Sequence, residues 1–191
     1  TVQDGDLGHA VAGAGDINGD GIDDIVVGAP YYNVPDTEDS EGAIYVFFGH
    51  DSSWPDGPGP SKQPDWLIES NQPGAWFGFS VSAAGDVNND GDDDLIVGAP
   101  RYVNPTTGVR EGAVFLFLGG ESQPAEAAWA AYGWQEYAQF GASVAGAGDV
   151  NGDGRPDIVV GAPGLDRLYI GEVGAAYAFC GNGSTFDSEP C

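Results

Sequence analysis

The chain has 191 residues, of which 41% are hydrophobic and 18% charged, and a formal charge of −25 from 30 acids against five bases. That length allows one or two domains. The excess of acid disfavours nucleic acid and anionic membrane as partners, and no apolar run is long enough to insert into a bilayer.

In chain order, the opening Thr1 to Asp4 aligns with the end of a preceding strand, and it is expected to complete a sheet of another copy by strand addition. The alternative for such residues is a frayed terminus. Leu7-Gly8 leads into a strand of small residues, Ala10 to Gly15. The segment Asp-Ile-Asn-Gly-Asp-Gly-Ile-Asp-Asp follows from Asp16 to Asp24, then an apolar strand ending Gly-Ala-Pro at Pro30. An irregular stretch of about ten residues leads to a third strand in GAIYVFFG from Gly42. The Pro/Gly/Ser-rich stretch from His50 reads as a surface loop, and PDWLIES from Pro64 as a looser fourth segment.

The same succession then recurs twice. Phe77-Gly78 and Phe140-Gly141 stand where Leu7-Gly8 stood, and Gly-Ala-Pro recurs ending at Pro100 and Pro163. Third strands recur in GAVFLFLG from Gly112 and GAAYAFCG from Gly174, and a fourth segment in AAWAAYGW from Ala127. The acidic segment reappears from Asp86 to Asp94 and from Asp149 to Asp157. A period of 60 to 70 residues sets the organisation: unit 1 is 1–71, unit 2 is 72–134 and unit 3 is 135–191. Strands of four to eight residues bounded by Gly, Pro, Asn and Asp, with no amphipathic helical window, predict an all-β fold.

The acidic segment carries the chemistry. Calcium takes six to eight oxygen ligands. Each copy offers carboxylates at positions one, five and nine: Asp16, Asp20 and Asp24; Asp86, Asp90 and Asp94; Asp149, Asp153 and Asp157. Position three gives an amide oxygen from Asn18, Asn88 or Asn151. Position seven, Ile22, Asp92 or Arg155, would give a main-chain carbonyl, consistent with its varied side chains. A single copy could equally be a solvated turn, but three copies with the acids kept in place favour a metal. An EF-hand is excluded: its twelfth position is Glu, whereas here it is Val27, Val97 or Val160, and the flanks read as strands. Three Ca²⁺ are expected, in a structural role. Losing them would leave clustered carboxylates in repulsion, so folding is expected to be calcium-linked.

The Phe-Gly pairs, the Gly-Ala-Pro triplets and the acidic loop between them resemble the FG-GAP repeat of integrin α-subunit β-propellers, over nearly the whole chain. Leu7 in place of Phe is a mild departure. The resemblance implies one four-stranded propeller blade per repeat, with a calcium loop between its first and second strands, on the face opposite the usual ligand-binding face. Propellers have about four to eight blades, and three leave two faces open. The chain is then a fragment of a longer polypeptide, half of a six-bladed ring, or a subunit of a head-to-tail filament.

Calcium loops of this kind fill where free calcium is high, which favours an extracellular setting, secreted or cell surface. Cys180 and Cys191, the only cysteines, are expected to form a disulfide worth roughly 3 kcal/mol by chain entropy. Asn182-Gly183-Ser184 is an N-glycosylation sequon. An enzyme is disfavoured: His9 and His50 have no partner at catalytic spacing, and no nucleophile elbow or phosphate loop occurs. Tyr31, Tyr32, Tyr102 and Tyr169, with Trp76 and Trp134, fall by the resemblance on the face opposite calcium, with Asn33, Asp36, Asn104, Glu111 and Asp166 nearby. They either cap blade packing or bind a protein or glycan ligand. The two functional expectations are a structural or adhesive module that self-assembles through its blade edges, and a lectin-like glycan-binding propeller.

Overall fold

A computed structural model of the chain describes residues 5–33, 40–50, 63–167 and 171–191. Thr1 to Asp4, Asp36, Tyr169 and most of the stretch after His50 lie outside the described residues, and with them the expected strand addition.

The described residues hold strands and no helix. The first sheet has β1 (Ala10–Gly15), β2 (Asp24–Ala29), β3 (Ala43–Phe47) and β4 (Trp66–Glu69) in sequential antiparallel order. The second repeats that order with β5 (Ser80–Gly85), β6 (Asp94–Ala99), β7 (Ala113–Phe117) and β8 (Trp129–Tyr132). In the third, β9 (Ser143–Gly148) and β10 (Asp157–Ala162) are followed by a short hairpin of β11 (Asp166–Arg167) and β12 (Gly171–Glu172), then by β13 (Ala175–Phe179). Among the described residues no separate fourth strand forms there. Instead the Cys180–Cys191 disulfide turns the tail back, and Cys191 N–H donates to Ala178 O at 2.9 Å. The three sheets, each antiparallel with its first three strands in sequential order, have the form expected of propeller blades.

Each blade presents one apolar face to its predecessor and another to its successor. Because strand side chains alternate, Val81, Leu95, Val97, Phe115 and Phe117 lie together on one side of blade 2. They pack on Ala14, Ile17, Val26, Ile44 and Val46 of blade 1 in one core. A second core joins Ala84, Val87, Ile96, Val114 and Leu116 of blade 2 to Ile158, Val160 and Phe179 of blade 3. The aromatic residues that alternate along the third strands therefore belong to these cores or to the matching face of blade 1.

The Phe-Gly and Gly-Ala-Pro signatures sit where blades meet. Gly78 N–H donates to Gly98 O at 3.2 Å within blade 2, while a Cβ on Gly28 would collide with Gly78 O. Gly78 has φ 81°, and its own Cβ would meet Ala43 O. Gly98, Gly141 and Gly161 repeat the arrangement one blade on, with Gly141 N–H donating to Gly161 O at 3.0 Å. Only residues without a Cβ let two blade backbones approach this closely. Phe77 N–H donates to Glu41 O of blade 1, and the Phe77 ring sits edge-on to Phe115 and Phe117.

The candidate metal loops and the opposite face

Each acidic segment joins the first and second strands of its blade, so all three lie at one end of the strands. A register shift just before each loop, beside positive-φ Gly15, Gly85 or Gly148, bends the strand into it. Positions four and six turn through positive φ, as their residues allow: Gly19 and Gly21, Asn89 and Gly91, Gly152 and Gly154.

The three loops repeat one hydrogen-bond pattern. In loop 1, Asp16 Oδ1 and Oδ2 accept from Asp20 N–H and Gly21 N–H at 3.0 and 2.8 Å. Asn18 Oδ1 accepts from Asp20 N–H, and Asp20 Oδ1 from Ile22 N–H, both at 2.9 Å. Asp86, Asn88 and Asp90 accept the same bonds in loop 2, as do Asp149, Asn151 and Asp153 in loop 3. The loop thus coils around its own side-chain oxygens, each with lone-pair capacity beyond the bond it accepts. Among the described residues no three acidic side chains are drawn together into a metal cage, but the donor set of carboxylate and amide oxygens, without sulfur or imidazole, is the kind a hard divalent cation takes.

Position nine plays a different part from positions one, three and five. Asp24, Asp94 and Asp157 are buried. Asp24 Oδ2 accepts from Ile17 N–H at 2.8 Å and Oδ1 from Gly49 N–H at 2.7 Å. Asp94 bonds Val87 and Gly119, and Asp157 bonds Val150 and Gly181, in the same way. Each carboxylate ties its loop to the end of its blade's third strand. Burial pushes Asp94 up to about 6, against the lowering effect of the two N–H groups, and raises Asp24 as well. Burial followed by repulsion from Asp90, Asp16 and Asp86 raises Asp92. Asp149 is held down, mainly by the Gly154 N–H.

At the other end of the strands the aromatic residues divide. Tyr31 and Trp76 meet edge-on at 5.3 Å, Phe79 stacks on Trp76 at 5.9 Å, and Arg101 lies over the Trp76 ring at 4.4 Å. Sequence reasoning missed Arg101, Phe79 and His9, which joins Phe79 at 4.7 Å. Tyr32 instead turns inward against Tyr45, its hydroxyl pushed up to about 12 by burial and by Glu69. Tyr102 packs on Phe115 at 5.0 Å. Trp134 remains exposed at one edge while touching Tyr177 and Phe140. Asn104 and Glu111 are spent on each other, Asn104 Nδ2 donating to Glu111 Oε2 at 2.9 Å in a buried site.

The family model for the FG-GAP repeat matches residues 7–47, 77–117 and 140–179, one match per blade. The chain belongs to the FG-GAP repeat family. Its relatives include integrin alpha-PS5 of Drosophila melanogaster, 38% identical over 172 residues, covering 86% of this chain and 16% of that protein. Integrin alpha-5 of Xenopus laevis is 33% identical over 195 residues, covering 100% of this chain and 16% of that protein. Integrin alpha-IIb of Mus musculus is 34% identical over 169 residues, covering 86% and 15%. The chain thus spans about one-sixth of the length of these curated relatives. The three matches end on the last residue of β3, β7 and β13, so each covers the Phe-Gly or Leu-Gly entry, the first two strands with the acidic loop between them, and the third strand.

Proposed function

We propose that this chain is an extracellular, non-enzymatic adhesion module whose three loops each hold a Ca²⁺. In each loop, Asp at positions one, five and nine, Asn at position three and the main-chain carbonyl of position seven (Ile22, Asp92, Arg155) would hold the ion. When bound, the ion supplies charge neutralisation and a rigid cross-link, not a reaction. The loop backbone pre-orients the side-chain oxygens, and the position-nine Asp transmits that order to the third strand. The kinship with integrin α subunits supports adhesion, and the disulfide Cys180–Cys191 suits an oxidising compartment.

The observation that carries the assembly is a contrast among equivalent residues. Ile17 and Val87 are 0% and 1% exposed because a following blade covers them, whereas Val150, the same position in blade 3, is 58% exposed. On the opposite side, Val81 is 8% exposed beneath blade 1 while Val11 is 69% exposed. Ile25 and Val159 are likewise uncovered. Apolar surface of this kind marks an interaction site. We assign it to blades of a second copy, stacked as blades 1, 2 and 3 stack on one another. Light scattering tests this: wild type should associate in calcium, and Val150→Glu should be folded but monomeric. Association that survives Val150→Glu would overturn it.

The glycan-binding reading is supported by one feature. A cavity of about 220 Å³ lies between blade 2 and the tail, lined by Asn104, Tyr132, Gly133, Trp134 and Ser188 among others. Aromatic walls with polar groups suit a sugar ring. Glycan-array binding that is lost in Trp134→Ala would establish it, and no binding by wild type would remove it.

A further inference from the structure

Loop 1 is not built from blade 1 alone. Asp93 N–H, from blade 2, donates to Asp16 O at 2.8 Å, and Asp16 N–H donates back to Asp93 Oδ2 at 3.0 Å. Gly120 N–H adds a bond to Ile17 O at 2.7 Å. Asp16 opens the loop, and its two carboxylate oxygens are already engaged by Asp20 and Gly21 of its own blade. Its side chain is therefore fixed from within the loop, while both of its backbone groups are fixed by the next blade. A Cβ on Gly15 would overlap the Asp93 carboxylate, and one on Gly19 would overlap that of Asp92. The glycines of loop 1 are what admit these acids.

The other two loops lack this clamp. Asp93 is the eighth residue of its segment, and the eighth of loop 3 is Pro156. Proline has neither an N–H nor a carboxylate to offer Asp86. Its ring makes ordinary contact instead, 3.4 Å from where a Cβ on Gly85 would lie. Among the described residues, a Cβ on Gly148 would meet nothing within 4 Å. Three loops with nearly the same ligands thus have three different outer supports.

We infer that Asp93 is a positioning residue for the loop 1 cation, coupling ion binding in blade 1 to the docking of blade 2. The inference rests on the calcium reading above. An ion held by the Asp16 side chain needs the Asp16 backbone to stay put, and Asp93 holds it from both sides. Because coupling between two binding events is reciprocal, docking of blade 2 tightens loop 1, and filling loop 1 tightens the boundary between the blades. Among the described residues, loop 2 meets blade 3 by packing, through Pro156 beside Gly85. The loops are consequently unequal in affinity although their ligand residues are alike.

Calorimetric titration with CaCl₂ tests this on wild type, Asp93→Ala, Asp93→Asn and Asp20→Ala. Outer-shell partners of metal ligands are worth about 10–100-fold in affinity. Asp93→Ala should leave two sites unchanged and weaken one by about tenfold or more. Asp93→Asn, whose amide oxygen accepts the same N–H, should restore most of that loss. In Asp20→Ala, which disables loop 1, adding Asp93→Ala should change neither remaining site. A purely structural role for Asp93 would lower the thermal midpoint in chelator without singling out one site. Should Asp93→Ala fail to fold, Pro156→Asp serves in its place: it supplies the missing N–H and carboxylate beside Asp86 and should tighten loop 2. Wild type that binds three ions, with Asp93→Ala identical to it or Pro156→Asp without effect, would overturn the coupling alone. Wild type that binds no calcium would overturn the metal reading and the coupling with it.

Discussion

Asp94 shows how one residue type takes two roles within a nine-residue segment. Asp86 and Asp90 turn their oxygens into the loop, while Asp94 is buried with both oxygens on backbone N–H groups. Replacing Asp94 by Ala should cost about 2–4 kcal/mol even in chelator, because two buried donors lose their acceptor. Asp90→Ala, in contrast, should abolish one calcium site and change the chelated protein little. Urea denaturation in chelator distinguishes the two. The acidity of Asp94 gives a signed pH dependence. Its proton is held more tightly in the folded state, at about 6 against the usual 3.8, so the stability it contributes is present at low pH and lost as pH rises through 6. The thermal midpoint of the chelated protein should therefore fall between about pH 4 and 6, and Asp94→Asn should flatten the fall. Saturating calcium should oppose it, because the ion favours the carboxylate. The acids of the loops were legible in the sequence because they recur three times at fixed spacing. The division of labour among them was not, since nothing in a string of Asp residues tells which one is buried. Asp93 and Arg101 escaped notice for a related reason: their partners belong to other segments of the chain, brought near only by blade stacking.

At the scale of elements, the strands were legible because Gly, Pro and the acidic loops punctuate short apolar runs. The order of β1 to β4 and of β5 to β8 follows the repeat as read. The small hairpin of β11 and β12 matches an antiparallel bridge between Val103 and Arg110 at the same place in the second repeat, and neither has an alternation to announce it. Tyr32 and Tyr102 follow the same signature as Tyr31, but each closes a turn by donating its N–H to Ala29 O or Ala99 O, and its ring packs on Tyr45 or Phe115 instead of joining Trp76. The glycines of Phe-Gly and Gly-Ala-Pro are explained by contact between blades rather than by turns. Gly78→Ala should destabilise the protein by more than about 1 kcal/mol, since it adds a Cβ against Ala43 O at a residue with φ 81°. Gly108→Ala, at similar φ but in open space, should cost less. Thermal denaturation of the two variants makes the comparison.

For the whole molecule, the middle blade shows what a complete environment looks like. Every residue of β6 is buried, whereas β2 and β10 each expose one apolar residue on their uncovered side. Among the described residues the two outer faces differ, one exposing Val11 and Ile25 and the other Val150 and Val159. A contact between unlike faces is heterologous and generates a ring or a filament according to whether its rotation closes. Exchanging Val11 for Glu should block assembly as Val150→Glu does, and mixing the two variants should give only dimers joined through their intact faces, seen by light scattering. Within each blade, Asp24, Asp94 and Asp157 tie the loop to the end of the third strand, and between blades 1 and 2 Asp93 ties loop 1 to its neighbour. The most direct test is the stoichiometry of calcium binding by calorimetry, taken with the thermal midpoint in calcium and in chelator. Three ions per chain and a midpoint that rises with calcium are predicted. No calcium bound at saturating concentration, or a midpoint indifferent to chelator, would contradict the account.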